Sequence, residues 1–336
     1  MEHAISIKRA VLHVLDVNTA MPVLSKAELE ISEALADYLE RHMDKVLEDP
    51  NTKNARFAGE DEIRLLCGLL NDNEGDFLPI SSDIANKLFA LLQKNVEIPS
   101  ADLVCCLAEI DGVKNLALLK LNYNEGFTHW VHNADEGAVN TIIRHKTLLP
   151  QEGRKLEECA LISLADFSLR LIEKQYEING EKEFYLSNLF LKCSCDLSDN
   201  AKLKILDKAA KNINKKYFNE DFEKTIKMKK AVAESVEDTD TIQIDRIAGK
   251  MYERNAEIRN EYADEIAKAG LGEKEIIIPG RLIEKKFKIH KIKTDTGIEI
   301  DFPLEYADDR DKIEFINNSD GTLSIVIKNV ARITNR

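Results

Sequence analysis

The feature that most constrains the fold is a pair of apolar runs joined by a two-residue turn. Residues 102–110 are mostly apolar, Asp111-Gly112 follows, and residues 113–123 are again rich in leucine. An Asp-Gly pair between two such runs favours a type I′ turn, in which both central residues need a positive φ angle. The segment therefore predicts an antiparallel β-hairpin.

The segments around this hairpin predict the remaining layers of an α+β fold. The opening, residues 5–17, has the β-branched composition of a strand, and the helix after it is expected to be capped by Ser32 and to end at Asp49-Pro50. Two more helices are predicted over residues 60–70 and 82–93, and three strands over residues 141–149, 158–164 and 168–175. These elements predict an antiparallel sheet that is covered by helices.

The pattern becomes helical after Phe184. The helix that contains residues 203–217 has an apolar stripe of five residues: Leu203, Leu206, Ala210, Ile213 and Tyr217. A second stripe lies about 150° away around the helix. This second stripe consists of Lys204, Lys208, Lys211 and Lys215. A further helix is predicted over residues 244–269, with the acidic residues 234–240 as the connector between the two helices.

The last part of the chain returns to a strand pattern. Strands are predicted over residues 276–278, 282–293 and 298–302, and a closing hairpin over 312–316 and 323–328. The predicted division has three parts: an acidic α+β domain over residues 1–184, a helical Lys-rich region over residues 185–272, and a small β domain over residues 273–336.

The charge is distributed unevenly along the chain. The net charge of −13 argues against binding to nucleic acid, because a phosphate-binding surface must be positive. Residues 1–200, however, hold 20 basic against 34 acidic side chains, whereas residues 201–336 hold 27 against 26. Such asymmetry indicates a charged partner for one half of a chain, although an acidic surface also serves solubility.

Several functional classes find no support in the sequence. No apolar run approaches the roughly 18 residues that cross a bilayer, and the first residues lack the pattern of a secretory signal, so we expect a cytoplasmic protein without membrane contact. The six cysteines are scattered, and Cys193 and Cys195 form a C-x-C with no second pair, which favours reduced thiols. None of the common nucleotide, hydrolase or metalloprotease motifs is present, so no enzyme activity and no cofactor are predicted.

The best candidates for metal ligands are histidines. His129 and His132, with Asp135 and His145 downstream, could supply imidazole and carboxylate ligands to an open metal site. Residues 129–132 are expected in a strand end or loop, where side chains three positions apart point in different directions. We therefore interpret these histidines as surface or packing residues and predict no metal.

A second basic feature lies within the predicted strand 282–293. Residues 281–293 hold six basic side chains against one acid, and in a strand Lys286, Lys288 and His290 would share one face. Lysines that protect an edge strand from pairing explain this pattern as well as a nucleic-acid surface does. A helix face in contact with solvent likewise explains the lysine stripe. The candidate nucleic-acid contacts are Lys204, Lys208, Lys211, Lys215, Lys216, Arg281, Lys285, Lys286, Lys288, Lys291 and Lys293.

Five segments carry a resemblance to a known family. They are residues 11–15, 31–47, 184–193, 298–302 and 321–328. In their order and pattern they resemble the bacterial nucleoid-associated protein family of the NdpA/YejK type. The resemblance implies association with the bacterial chromosome and binding to double-stranded DNA without sequence specificity, catalysis or cofactor.

Three functional hypotheses follow. The first is a nucleoid-associated DNA-binding protein that uses the two basic features as phosphate contacts. The second is an interaction scaffold on the nucleoid, in which the acidic N-terminal domain binds other nucleoid proteins and contacts DNA little. The third is an unrecognised enzyme that acts on nucleic acid or nucleotides through dispersed side chains. A homodimer stays open in each of them.

Overall fold

A computed structural model describes residues 3–134, 137–219, 221–239, 241–253, 255–287 and 289–334. The chain forms two compact units, Met1–Ser198 and Asp199–Arg336, which we call unit 1 and unit 2. Unit 1 holds the large sheet, and unit 2 holds five helices and three small sheets among the described residues. The predicted α+β class is confirmed, whereas the division into three domains stays a prediction.

Unit 1 is built on a seven-stranded antiparallel sheet with the order β1-β3-β4-β7-β8-β2-β11. The predicted hairpin forms two of its inner strands, with Ile110 opposite Val113. Asp111 and Gly112 have φ angles of 51° and 80°, as the predicted turn requires. The strands of unit 1 are β1 Ile5–Leu15, β2 Lys53–Phe57, β3 Ala101–Ile110, β4 Val113–Asn122, β5 Asn124–Ala134, β6 Gly137–Leu148, β7 Glu158–Ser163, β8 Ser168–Ile172, β9 Tyr176–Ile178, β10 Glu181–Glu183 and β11 Cys193–Cys195.

Helices cover both faces of this sheet. Helix α1, Glu33–Glu48, buries Leu39, Met43 and Val46 in one apolar cluster, and its predicted cap is confirmed because the Ser32 side chain accepts a hydrogen bond from the backbone N–H of Leu35. Helices α2, Glu62–Asp72, and α3, Phe77–Lys94, contribute to the cluster on the other face. Helix α3 begins earlier than predicted, because its buried side starts at Phe77 and Ile80. A π-helical turn, Leu186–Leu191, precedes β11.

Among the described residues, strands β5 and β6 pair only with each other and form a sheet separate from the large one. Their side chains are exposed along β6, including Ile142, which is 76% exposed. The sequence predicted β6 but neither β5 nor the short strand β2. Phe127 and Trp130 on β5 are exposed as well, so this hairpin carries apolar side chains in contact with solvent.

Unit 2 contains more helices than the sequence predicts. They are α4 Asp199–Phe218, α5 Phe222–Thr239, α6 Ile244–Met251, α7 Ala256–Lys268 and α8 Gly280–Phe287. The expected acidic connector is wrong over residues 234–239, because these residues continue α5, whose apolar side includes the buried Val232 and Val236. The predicted helix over 244–269 is two helices, because the Asn255 side chain caps a new one by accepting hydrogen bonds from the N–H groups of Glu257 and Ile258.

The strands of unit 2 form three two-stranded sheets among the residues that the structure describes. They are β12 Ile242–Gln243 with β13 Glu275–Ile276, β14 Ile289–Lys293 with β15 Glu299–Pro303, and β16 Ile313–Asn317 with β17 Leu323–Ile327. The predicted closing hairpin is confirmed in the last pair. A short 3₁₀ turn, Leu304–Asp308, connects β15 to the segment before β16.

Candidate nucleic-acid interface

Helix α4 has the two faces that its sequence predicts. Leu203, Leu206 and Ile213 are buried, and the four lysines of the predicted stripe are exposed. One member of the apolar stripe differs, since Tyr217 is exposed and its hydroxyl donates a hydrogen bond to Glu261 on α7. The lysine stripe is therefore a solvent-facing surface on a helix that is fixed by its opposite side.

The charges along α4 are balanced to different degrees. Lys211 forms an ion pair with Asp207, one turn earlier, at 2.7 Å. Lys216 pairs with Glu261, and hydrogen bonding to that carboxylate raises the pKa of Lys216. Lys204 and Lys208 form no ion pair with any described residue. Among these four lysines, the two without an ion pair to a described residue therefore lie in the first half of the helix.

The second basic segment does not form the single strand that the sequence predicts. Its first part is helix α8, in which Ile283 and Phe287 are buried one turn apart, and β14 begins only at Ile289. The prediction that His290 shares an exposed face with the lysines is wrong, because His290 lies on the buried face of β14, opposite Lys291 and Lys293, and is 2% exposed. The local pattern of Lys, Ile and Phe residues is compatible with a strand or a helix. The burial of Ile283 and Phe287 on one side favours the helix.

The predicted contacts on this segment fall into two groups. Lys286 is exposed on α8 and donates a hydrogen bond to Asn200, while Lys291 and Lys293 lie on β14 and pair with Asp301 and Glu299, each at 2.8 Å. Arg281 and Lys285 lie on α8 by their backbone, with side chains outside the description, and Lys288 lies outside the described residues.

Both basic segments meet at one groove in unit 2, with a volume of about 480 Å³. Lys204 and Lys211 reach it from α4, and Lys286, Lys291 and Lys293 reach it from α8 and β14. A sixth lysine, Lys229 of α5, also lines this groove, which we call the lysine groove. Lys208, Lys215 and Lys216 lie outside its lining. Lys229 lies in the less acidic part of the chain, residues 201–336, but no sequence pattern singled it out.

Lys229 is the most enclosed cation of the lysine groove. Its side chain is half-buried, and its Nζ lies 2.9 Å from Nδ1 of the buried His290. Burial, together with the nearby Lys211, lowers the pKa of Lys229. Burial and the adjacent Lys229 also lower the pKa of His290 to about 4, so this imidazole is neutral near pH 7.

Asp207 is the only acidic side chain among the described residues that line the lysine groove. It raises the pKa of both Lys229 and Lys286, although burial dominates and both values stay lowered. Lys204 opposes it by lowering the pKa of Lys286. Six ammonium groups and one carboxylate therefore share this groove, and three of the six, Lys204, Lys229 and Lys286, have no ion pair to a described residue.

The histidines singled out in the sequence do not converge. In the β5–β6 register, His132 faces Val139 and His145 faces Gly126, whereas His129 lies on the opposite face of the hairpin. Asp135 lies outside the described residues. Within the described part of the chain, no group of three His, Cys, Asp or Glu side chains is placed to hold a metal ion. The six cysteines are free, and all except Cys195 are buried.

The fold and the lysine groove define the class of the molecule: an α+β protein with an acidic sheet unit and a second unit that carries a cation-lined groove. The family model of nucleoid-associated protein YejK matches residues 11–334. The chain therefore belongs to this family, which confirms the resemblance seen in the sequence and supports association with the nucleoid. A search of curated proteins finds no match. No helix within the described residues is long and apolar enough to cross a membrane.

Proposed function

We propose that this protein binds double-stranded DNA through its sugar–phosphate backbone, without strong sequence preference. The observation that carries the proposal is the meeting of two separate basic segments at one groove, where three lysines have no ion pair to a described residue. Phosphates would supply the missing counter-charge, and the counterions released from the DNA would favour binding. The family's nucleoid association supports the same conclusion.

The kind of side chain favours backbone contacts over base reading. Lysine presents a point charge on a flexible stem, whereas base recognition relies mainly on the two-pronged hydrogen bonds of Arg, Asn or Gln. The described lining of the lysine groove contains none of these three residue types. Contacts of this kind position a protein on DNA but carry no sequence information.

The predicted contacts should contribute unequally. Lys204, Lys208 and Lys286 lack an ion pair among the described residues and should contribute most, while Lys216 is already held by Glu261. Lys291 and Lys293 are in exposed pairs, which are worth only about 0–1 kcal/mol each, so they can exchange their carboxylates for phosphates. Lys211, Lys215, Arg281, Lys285 and Lys288 complete the proposed set.

One observation favours the scaffold as a second candidate. The β5–β6 hairpin exposes Phe127 and Ile142 on one face, at 77% and 76%, and Trp130 on the other face, at 56%. Neighbouring exposed apolar side chains commonly mark surfaces that bind other proteins. Together with the acidic charge of unit 1, this hairpin makes a nucleoid protein or a second copy of the chain a plausible partner. We propose no catalytic activity and no cofactor.

A charge-matched pair of variants tests the proposal. Changing Lys204, Lys208, Lys211 and Lys215 to Glu should weaken binding to every duplex alike by at least about tenfold, because phosphate contacts are lost without loss of base reading. The control changes the exposed lysines of unit 1, Lys26, Lys94, Lys146 and Lys182, to Glu, which alters the net charge equally. Equal affinities of the two folded variants would contradict the proposed interface.

A further inference from the structure

The inside of the lysine groove differs from its rim. Phe222, Phe287 and Ile292 line it beside the half-buried Lys229, whereas the rim carries exposed lysines. Phe222 is only partly buried, and its ring packs against His290 and Phe315 at centroid distances of 5.6 and 4.8 Å. The interior thus combines a supported aromatic ring with an enclosed cation.

The hydrogen bond between Lys229 and His290 fixes the state of the imidazole. An ammonium group only donates, so Nδ1 of the neutral His290 accepts and its proton lies on Nε2. This Nε2 is enclosed and has no hydrogen-bond partner among the described residues. An unpaired buried donor is costly, and such a group in a native protein calls for a partner such as an ordered water or an ion.

The described residues compensate the charges near Lys229 only in part. Lys204 and Lys286 are close enough for one to lower the pKa of the other, and Asp207 is the one carboxylate in the described lining. Clustered cations that repel one another are stabilised when an anion binds between them. The interior therefore favours a ligand with a compact negative charge.

The size of the groove limits what can enter it. A volume of about 480 Å³ is within the range of small-molecule sites, which is roughly 300–1,000 Å³. A DNA duplex presents its phosphates on a broad surface and keeps its bases stacked inside, so it can reach the lysines of the rim but cannot place a base inside. A single nucleoside phosphate has both the size and the two kinds of surface that the interior offers.

We propose that the lysine groove binds one nucleoside phosphate, either free or as one unit of a single strand. The phosphate lies among Lys204, Lys229 and Lys286, and the base lies against the exposed part of Phe222. This inference rests on the proposed nucleic-acid function and names the unit that enters the groove. Stacking on an aromatic ring tolerates any base, in agreement with the proposed lack of sequence preference.

The test measures binding of four probes to the full chain by calorimetric titration: inorganic phosphate, thymidine 5′-monophosphate, a ten-residue thymidine oligonucleotide and a 20-base-pair duplex. The nucleotide should bind more tightly than phosphate alone, because only the nucleotide gains stacking. Tight binding of the oligonucleotide with weak binding of the free nucleotide would identify the strand as the source of the ligand, and comparable binding would identify the free nucleotide.

Three substitutions separate the contributions. Lys229→Met should lower nucleotide affinity by about tenfold or more, since it removes a charge-assisted contact. Phe222→Leu should weaken nucleotide binding by roughly fivefold or more but leave phosphate binding unchanged. Asp207→Asn should strengthen binding of both probes several-fold, because it removes the one acid of the described lining. This gain of affinity keeps the test valid if either of the other variants folds poorly.

Two results would overturn the inference. Duplex binding without any nucleotide or oligonucleotide binding would leave the proposed function intact but place the ligand on the rim alone. Equal affinities for phosphate and nucleotide, together with an unchanged nucleotide affinity of the Phe222→Leu variant, would show that the groove binds an anion but no base. Nucleotide binding in the absence of duplex binding would instead contradict the proposed function.

Discussion

An enclosed lysine in unit 1 and another in unit 2 differ in whether a carboxylate contacts the ammonium group. Lys120 in unit 1 is 2% exposed, and its ammonium group lies 2.6 Å from the buried carboxylate of Glu158 and donates to Asn122. Lys229 in unit 2 has only the neutral His290 as a hydrogen-bond partner among the described residues. Burial lowers the pKa of both lysines and a carboxylate opposes this effect at both, but only Lys120 is in direct contact with its carboxylate.

The comparison suggests how a buried cation is used. A cation with its own carboxylate is part of the fold, and removing it leaves an uncompensated charge. A buried cation without a carboxylate partner lowers the stability of the folded protein, and binding of an anion restores that stability. Substitutions at the two lysines should therefore act on different properties of the molecule.

The largest expected effect is on the stability of unit 1. Lys120→Met should destabilise it by about 3–5 kcal/mol, because Glu158 would remain buried and unpaired. Adding Glu158→Gln should restore a large part of this loss. Hydrogen exchange at the amides of β4 and β7 measures the effect within unit 1, without assuming that the two units unfold together.

The matching change in unit 2 should weaken the fold less. Lys229→Met removes a half-buried charge that has no ion pair to a described residue, which favours the free protein. It also removes the donor to Nδ1 of the buried His290, which costs about 1–3 kcal/mol, so the net loss in unit 2 should stay below that of Lys120→Met in unit 1. Thermal melting with and without nucleotide measures both properties. Strong destabilisation of the free protein would show that Lys229 is as structural as Lys120.

Acid should act on both units through buried histidines, among them His42 of unit 1, whose pKa burial lowers. His13 in unit 1 and His290 in unit 2 both have a pKa lowered to about 4, mainly by burial. Since the unfolded chain binds protons near pH 6.5 and the folded chain does not, stability should fall as pH decreases from about 6.5 to 4.

The histidine contributions can be measured separately. Thermal melting between pH 7 and 4 should show a smaller loss for His290→Gln in unit 2 and for His13→Gln in unit 1 than for the unchanged chain. Ser25 donates its N–H to Nδ1 of His13, so protonation there also breaks a hydrogen bond. Stability that does not change over this pH range would contradict neutral burial of both rings.

The smallest expected effects are at two helix caps. Ser32 caps α1 in unit 1, and Asn255 caps α7 in unit 2 with bonds to two N–H groups. Replacing either residue by Ala should cost about 1 kcal/mol, and replacing it by Gly should cost less. Local hydrogen exchange at the first turn of each helix measures the change, and unaltered protection would show that packing alone sets these helix ends.

Local chemistry explains which parts of the fold could be predicted. The Asp111-Gly112 turn, the Ser32 cap and the two faces of α4 depend on neighbouring residues, and all three are confirmed. Helix α8 was predicted as a strand because its local pattern fits both structures, and only the burial of Ile283 and Phe287 decides between them.

The groove could not be predicted for a different reason. Its lysines come from α4, α5, α8 and β14, and no sequence spacing relates elements that are brought together only by tertiary packing. The groove lies in the less acidic part of the chain, and five of its six lysines are among the predicted contacts. The sequence could not distinguish Lys229, which matters because of its contact with a buried histidine rather than because of its neighbours in sequence.

The most direct test of the proposed function is duplex binding measured across a salt series. Direct contact with about five phosphates predicts a log–log slope of roughly −4 to −5, and each lost contact should flatten it by about one unit. The variant with Glu at residues 204, 208, 211 and 215 should have a much flatter slope, and the unit 1 control should keep the original one. A slope near zero for the unchanged protein, or the same slope for all three proteins, would contradict binding of DNA through the lysines of unit 2.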